Sequence, residues 1–213
     1  MRVRRACRAP IAAILTAALA ALGGLALVAT PAGAGVIHGR VHLEHGVTQA
    51  VVCVESLPAP IEQRLAEHHW WMPKRRPPRL VVEYGRFTPA IIAAPVGGGV
   101  EIRNRDRVFH AAFSVAPTGP FHLAPQAPGT IDVVRFDRPG VVQVFCGLHS
   151  KEFATIVVVP THAYARPDEF GRFTLPKLPP GTYRVRVWHP DRGEIAREVT
   201  LPIRGDVRVE FEY

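Results

Sequence analysis

Short apolar runs separated by proline and glycine dominate the chain beyond its first 34 residues. Most of these runs are rich in valine, isoleucine and phenylalanine and alternate with polar positions, which is typical of strands with one buried face. Such runs predict twelve strands: Val36–Leu43, Ala50–Glu55, Leu80–Tyr84, Val100–Asn104, Ala111–Val115, Gly129–Phe136, Val141–Cys146, Thr155–Val159, Arg172–Leu175, Thr182–Trp188, Arg197–Leu201 and Val207–Phe211. So many short strands favour an all-β fold, and two small β-sandwiches fit the length better than one.

One segment departs from the strand pattern. Ile61–Met72 lies between two prolines, and Ile61 and Leu65 have the spacing of one helical face, which predicts a short helix. The basic, proline-containing stretch Lys74–Arg79 predicts an exposed, stiff linker, with a docking patch for an acidic partner as the alternative. Within the helical segment, His68–Met72 holds two histidines and a methionine, which leaves open a second copper site or a surface segment.

The first 34 residues have the composition of an export signal. Four arginines precede an apolar run over residues 11–29, and Ala32–Ala34 offers a small-residue cleavage site. We therefore expect a signal peptide cleaved near Ala34 and a periplasmic or secreted protein. The apolar run is long for a signal peptide, so an uncleaved membrane anchor stays an alternative.

Part of the positive charge belongs to this leader. Loss of residues 1–34 removes four arginines and no acidic residue, so the formal net charge falls from +8 to +4. The remaining charges are interspersed with prolines and strands and form no long basic helix, so we expect no nucleic-acid binding. A modest positive surface favours an acidic protein partner.

Candidate chemistry gathers where two strands end. Cys146 ends one strand and His149 follows it across Gly147, while His110 follows the strand that ends at Asn104. One thiolate and two imidazoles at one end of a β-sandwich form a trigonal His₂Cys set, the core of a blue-copper electron-transfer site. These residues therefore predict a copper site.

Two alternatives for Cys146 come from its surroundings in the sequence. An exported chain with two remaining cysteines, Cys53 and Cys146, favours a disulfide, although Cys53 lies in the middle of an apolar strand and has the setting of a buried hydrophobe. A cysteine hydrolase is a weak alternative, since a cysteine and a histidine on one short loop are poorly arranged to attack a substrate. We expect no enzyme.

The ordered motifs of the middle of the chain resemble the plastocyanin-like cupredoxins. They are Phe87-Thr-Pro89, Gly99-Val-Glu-Ile102-Arg-Asn104-Arg-Asp106, His110, Phe113-Ser114, Phe136-Asp137-Arg-Pro139-Gly140 and Phe145-Cys146-Gly-Leu-His149. The group that the chain most resembles is exported and bacterial, carries a fused regulatory-like tail, and includes proteins labelled methylamine utilisation protein. The resemblance implies a Greek-key sandwich in which His110, Cys146 and His149 bind one copper ion.

The C-terminal part carries a second resemblance. Gly171–Tyr183 predicts a strand, a proline-glycine corner and a second strand whose tyrosine closes the corner. This part resembles the carboxypeptidase regulatory-like (transthyretin-like) β-sandwich, and the first strands look like the start of the same module. The implied organisation is a signal peptide at 1–34, N-terminal strands of the regulatory-like sandwich at 35–60, a linker with a short helix at 61–79, a cupredoxin domain at 80–160, and C-terminal strands of the regulatory-like sandwich at 161–213.

Two departures from the family pattern affect the site. The family usually places an axial methionine where this chain has Glu152, and Met72 reaches the site only if the linker folds over it. Three alternatives stay open: Glu152 binds axially, Glu152 faces solvent and leaves three ligands or a carbonyl contact near Phe109, or the site binds another metal such as Zn²⁺ or none. Ala111 replaces an asparagine that ties the ligand loops together, which predicts a slacker site.

The resemblance implies an exported cupredoxin that carries one electron between periplasmic partners, such as a cytochrome or a dehydrogenase. A copper-binding or delivery protein without redox turnover is one alternative, and a metal-free β-sandwich binding module is another. The early histidines His38, His42 and His45 are expected to be exposed polar positions, with a weak metal-binding stripe as the alternative. Trp188-His189 is expected to have a structural role.

Overall fold

The computed structural model describes residues 33–45, 47–71 and 77–213, without the side chains of residues 68–71. Nearly the whole predicted leader, the side chains of His68–Met72 and the basic residues Lys74–Arg76 therefore lie outside the described residues. Within the described ranges, no helix is both long enough and apolar enough to cross a membrane.

Strands make up about half of the described part, with one α-helix, α1 (Ala59–Trp71), and one 3₁₀ turn at Val47–Gln49. The strands are β1 (Ile37–His42), β2 (Val51–Val54), β3 (Arg79–Glu83), β4 (Arg86–Thr88), β5 (Ile91–Pro95), β6 (Gly99–Asn104), β7 (Ala112–Ser114), β8 (Phe121–His122), β9 (Ile131–Arg135), β10 (Gly140–Cys146), β11 (Phe153–Val159), β12 (Tyr164–Ala165), β13 (Arg172–Thr174), β14 (Gly181–His189), β15 (Gly193–Leu201) and β16 (Val207–Glu212).

The predicted all-β fold is confirmed, and each of the twelve predicted strands coincides with an observed one, although several bounds differ. Sequence reasoning missed four short strands: β4, β5, β8 and β12. Strand β5 is buried at all five positions because both of its faces are covered. A fully buried run of this length has no alternation by which to recognise it.

The predicted helix is present, but it begins two residues earlier than expected, at Ala59. Pro60 lies in its first turn, where proline is tolerated because the first N–H groups have no partner within the helix. The helix is tied to the strand region by Glu62, whose Oε1 lies 2.6 Å from Nδ1 of His162 and accepts its backbone N–H at 3.0 Å.

The predicted linker is wrong at its C-terminal end. Arg79 belongs to β3, and its Nε donates to the Glu101 carboxylate on the neighbouring β6 at 2.7 Å. The ladder between these parallel strands therefore starts at a residue that the sequence pattern assigned to exposed chain.

Two sheets in the middle of the chain enclose one core, and we call this part the site sandwich (β3–β11). One sheet has the order β5-β11-β10-β7-β8 and the other β4-β3-β6-β9. Their facing side chains, among them Val82, Ile102, Val142 and Ile156, are fully buried. Strand β10 is central in its sheet, and its C-terminal residue Cys146 pairs with Ala112 on one side and donates its N–H to the Glu152 carbonyl on the other.

The chain before and after the site sandwich forms a second pair of sheets, which we call the tail sandwich (β1, β2 and β12–β16). The orders are β13-β1-β16 and β12-β2-β14-β15, and both sheets contribute to one core around Ile37, Val185 and Phe211. The predicted corner is confirmed, because Oη of Tyr183 donates to the Pro179 carbonyl at 2.7 Å. The domain boundaries that the sequence suggests stay a prediction.

A third, smaller apolar cluster joins the two sandwiches. We call it the seam, and it consists of Val51, Cys53, Ile91, Ala93, Val157 and Val159. Strand β2 of the tail sandwich thus packs on the outer face of β5 and β11. The seam covers the C-terminal part of β11, whereas Phe153 at the other end of that strand, near the turn that follows Cys146, is exposed.

Candidate metal centre

A tight turn between β10 and β11 brings Cys146, His149 and Glu152 together. The two strands pair as far as Phe145 opposite Phe153. Beyond that pair, the Cys146 N–H donates to the Glu152 carbonyl at 3.2 Å, and the Glu152 N–H donates to the His149 carbonyl at 3.3 Å. The backbone therefore sets the spacing of three donor side chains within seven residues.

His110 reaches the same place from another loop. Its backbone forms an isolated antiparallel bridge with Gln126, with N···O distances of 3.2 and 2.6 Å. Two residues later, Ala112 pairs with Cys146 on the neighbouring strand. This register places the imidazole of His110 beside the thiol of Cys146.

All four residues that the sequence singled out come together, with one donor atom from each lying within 4.8 Å of the others. Nδ1 of His110 lies 3.8 Å from the Cys146 Sγ, and Nδ1 of His149 lies 3.6 Å from it. The Glu152 carboxylate lies 2.8 Å from Nδ1 of His110 and 3.4 Å from Nδ1 of His149. Both imidazoles thus present the same nitrogen to the thiol and the carboxylate.

Burial differs sharply among the four donors. His110, Cys146 and Glu152 are 0%, 6% and 3% exposed, whereas 40% of the His149 side chain is exposed. The alternative in which Glu152 faces solvent is therefore wrong: the carboxylate lies inside, between the two imidazoles. Among the four donors, His149 therefore has by far the largest contact with water.

The donor set fits a metal ion. Tetrahedral bonds of about 2.0–2.1 Å to nitrogen and 2.3 Å to sulfur place a nitrogen and a sulfur about 3.5 Å apart, close to the two observed N···S distances. A thiolate with two imidazoles suits copper, and the same set with a carboxylate also suits zinc. The geometry therefore supports a metal site but does not distinguish copper from zinc.

The ligand loops are tied together by backbone groups. The Ala111 N–H donates to the Cys146 Sγ at 3.5 Å, and the Gly147 N–H donates to the Ala111 carbonyl at 2.8 Å. These two contacts use no side chain, so they do not replace the side-chain tie that alanine lacks, and a slacker site stays a prediction. An N–H aimed at sulfur also stabilises negative charge there.

Asn104 holds the loop that carries His110, a role that sequence reasoning did not assign. This fully buried amide donates through Nδ2 to the carbonyls of Val108 and Gln126, at 2.8 and 2.9 Å, and its Oδ1 accepts the Asp106 N–H at 2.8 Å. The available signal was a polar residue at the buried end of a strand, directly before a polar loop.

Asp106 lies on the same loop, on the far side of the His110 ring. Its carboxylate accepts the backbone N–H groups of Gly85 and Arg107, both at 3.0 Å, and these hydrogen bonds lower the pKa of Asp106. The group is therefore an anion at neutral pH. Its Oδ2 lies 3.6 Å from Nε2 of His110.

The other candidates do not join the site. Cys53 and Cys146 are both free thiols, so the disulfide alternative is wrong. His38 lies near Thr174 and Asp206, and His42 lies 2.7 Å from Glu210. In the ranges that the structure describes, the four-residue group is the only cluster of at least three such donors, so the alternative of a metal-binding histidine stripe is wrong.

Comparisons with known proteins give matches among solved structures only. No family model matches the chain, and no curated protein matches it. The purple cupredoxin from Nitrosopumilus maritimus is 22% identical, over 38% of this chain and 98% of its own length, with a TM-score of 0.34.

Two further structures match at a similar level. A copper-containing nitrite reductase from Thermus scotoductus SA-01 is 24% identical over 39% of this chain, with a TM-score of 0.37, and the match spans 22% of that enzyme. A mutant of amicyanin in its Cu(I) form is 17% identical over 52% of this chain and 98% of its own length, with a TM-score of 0.37. The function of the site has to be argued from its own residues.

Proposed function

We propose that this chain is a cupredoxin-like copper protein that transfers single electrons through a site formed by His110, Cys146, His149 and Glu152. The observation that carries the proposal is the buried thiol with two imidazole Nδ1 atoms at 3.6 and 3.8 Å. Copper bound there would supply a reversible one-electron couple, since this ligand set accepts both Cu(I) and Cu(II).

The chain's own contribution is a rigid, mostly dry set of donors. Three of the four donor side chains are buried, and the loops that carry them are joined by the backbone contacts of Ala111. Donors that cannot move much change little between two oxidation states. This favours rapid electron exchange over slow rearrangement.

Glu152 distinguishes the site from one with an axial thioether. Its buried carboxylate lies within reach of both imidazoles. A hard anionic oxygen stabilises Cu(II) more than Cu(I), so we expect a lower reduction potential and a colour shifted away from blue.

The half-exposed ring of His149 gives electrons a route to the surface. Exposed apolar side chains of Val108, Phe109 and Leu148 belong to the two ligand loops, and the basic side chains of Arg105, Arg107 and Lys151 are exposed on the same loops. We propose an acidic redox protein as the partner, such as a cytochrome or a dehydrogenase, with the chain itself exported and not an enzyme.

A second candidate is copper binding or delivery without redox turnover. The exposure of His149 supports it, because an incoming ligand can replace an accessible imidazole more easily than a buried one. The two candidates differ in one measurable property, which is the rate of reversible electron exchange.

Copper titration of the purified protein, followed by visible absorption, tests the proposal. We expect one copper per chain and a thiolate-to-copper charge-transfer band that is absent in Cys146→Ser. Cyclic voltammetry then separates the candidates, since a reversible wave supports electron transfer and a copper-loaded protein without one supports delivery. A protein that binds zinc but no copper, or no metal at all, would contradict both.

A further inference from the structure

One nitrogen of the His110 ring does not face the other donors of the metal site. The imidazole is completely buried, and its Nδ1 faces Cys146 and Glu152. Its Nε2 lies on the opposite side of the ring and has no hydrogen-bond partner within the described residues. A buried polar atom without a partner is costly, so such an atom in a built site calls for an explanation.

Asp106 is the charged group that this nitrogen faces. Its Oδ2 lies 3.6 Å from Nε2, which is longer than an N–H···O hydrogen bond, so the pair is a close electrostatic contact. The carboxylate cannot swing away freely, because the N–H groups of Gly85 and Arg107 each hold one of its oxygens. Asn104 fixes the backbone of the same residue.

We propose that Asp106 is a positioning residue for the metal centre: its negative charge attracts the Nε2 proton of His110, favours the tautomer whose Nδ1 is free to bind copper, and favours Cu(II) over Cu(I). This inference rests on the proposed copper site and adds the group that tunes it.

The chemistry follows from the two nitrogens of one imidazole. When Nδ1 binds a metal, the ring proton must reside on Nε2, and a negative charge close to Nε2 favours this tautomer. The same charge makes Nδ1 a stronger donor, since it polarises the Nε2–H bond and leaves more electron density on the ring. A stronger donor and a nearby negative charge both stabilise the more highly charged ion. Asp106 and Glu152 thus act on opposite nitrogens of the same ring.

The test compares Asp106→Asn with Asp137→Asn. Asp137 is exposed in the turn between β9 and β10, so the control removes the same charge away from this ring. We expect Asp106→Asn to lower the Cu(II) affinity by about 10- to 100-fold and the Cu(I) affinity by less. Each tenfold difference between the two losses raises the reduction potential by about 59 mV. The control should leave both affinities and the potential near those of the wild type.

The reduction potential separates tuning from loosening. A substitution that merely loosened the loop would weaken both oxidation states alike and leave the potential unchanged, even though copper binds less tightly. An unchanged potential in Asp106→Asn, or an equal shift in Asp137→Asn, would therefore overturn the inference while leaving the copper site intact. A wild-type protein without copper binding would overturn the proposed function and this inference together.

Discussion

The two described cysteines are buried to nearly the same extent, but they have different neighbours. Cys53 is 5% exposed and Cys146 is 6% exposed. Cys53 lies in the seam among valines, an isoleucine and an alanine, and its burial raises the pKa of the thiol to about 12. Cys146 lies at the open end of the site sandwich, beside two imidazoles and a carboxylate.

The comparison teaches that burial by itself does not make a thiol inert or useful. In the seam, the low-polarity surroundings disfavour the thiolate, so Cys53 behaves as a small hydrophobe. At the strand end, the Ala111 N–H and the imidazoles offer partners for sulfur. The neighbours that the fold brings in decide which chemistry a buried cysteine has.

The largest expected effect comes from exchanging one sulfur for oxygen at each position. Cys146→Ser should abolish the copper charge-transfer band, because the hydroxyl of serine stays protonated and is a poor ligand for copper. Cys53→Ser should keep the full band and the same copper stoichiometry. Visible absorption of both copper-titrated variants checks this, and a band that survives in Cys146→Ser would place the thiolate ligand elsewhere.

The rate of alkylation compares the reactivity of the Cys53 and Cys146 thiols directly. With a pKa of about 12, roughly one Cys53 thiol in ten thousand is ionised at pH 8. We therefore expect iodoacetamide to leave Cys53 unmodified in the folded protein and to modify Cys146, which borders the half-exposed His149. Copper should protect Cys146, and urea should expose Cys53. Peptide mass spectrometry follows each site separately, and equal labelling of both in the folded, metal-free protein would break the comparison.

The sequence predicted the fold well because strand formation here is local. Alternation of apolar and polar residues marks strands such as β10 and β14, and the corner closed by Tyr183 follows from its proline and glycine residues. The four donors were also predictable, because they follow strand ends whose residue types suit copper. Strand β5 was missed because it lacks alternation and also has fewer β-branched residues than the equally buried β2.

The surroundings of the donors were not predictable in the same way. Whether Glu152 faces water or the site depends on the turn that closes between β10 and β11, and no residue pattern reports that turn. The contacts of Asn104 and Asp106 join residues through loop geometry, and the tie at Ala111 uses backbone atoms that every residue has. Residue types therefore indicated the ligands, whereas the contacts that hold the ligands in place became visible only in the three-dimensional fold.

Two truncations, one beside the metal site and one in the seam, should show whether a loss of stability also weakens copper binding. Asn104→Ala removes the side-chain hydrogen bonds to the Val108 carbonyl, the Gln126 carbonyl and the Asp106 N–H, and each lost bond costs about 0.5–1.5 kcal/mol. We expect a lower free energy of unfolding together with weaker copper binding. Val159→Ala in the seam removes two buried methyl groups and should cost about 1.5–3 kcal/mol with copper affinity unchanged.

Urea unfolding and copper titration of both variants give the two readouts. Val159 is 1% exposed and belongs to β11, whose other end leads to Glu152, so the control lies on the same strand as a ligand turn. Weaker copper binding in Val159→Ala would mean that the seam also supports the site, and the two regions would then be coupled rather than separate.

The smallest expected effect concerns the charges beside the seam. Burial raises the pKa of Glu55, but hydrogen bonds from Arg186 and Arg184 outweigh it and lower the pKa overall. The ion pairs therefore stabilise the fold above pH 4.5, and this contribution disappears as the pH falls through the pKa of the folded protein. Glu55→Gln should cost about 0–1 kcal/mol at pH 7 and nothing at a pH where both proteins carry a neutral side chain there.

Alkylation of Cys53 in Glu55→Gln then tests what governs the seam thiol. The charge of Glu55 raises the pKa of Cys53, whereas Arg186 lowers it, and burial has the largest influence. Loss of the carboxylate should therefore lower that pKa slightly and leave Cys53 almost as unreactive as before. A large gain in labelling, with the free energy of unfolding unchanged, would mean that charge rather than burial keeps the Cys53 thiol unreactive. The explanation of the contrast with Cys146 by burial and neighbours would then be wrong.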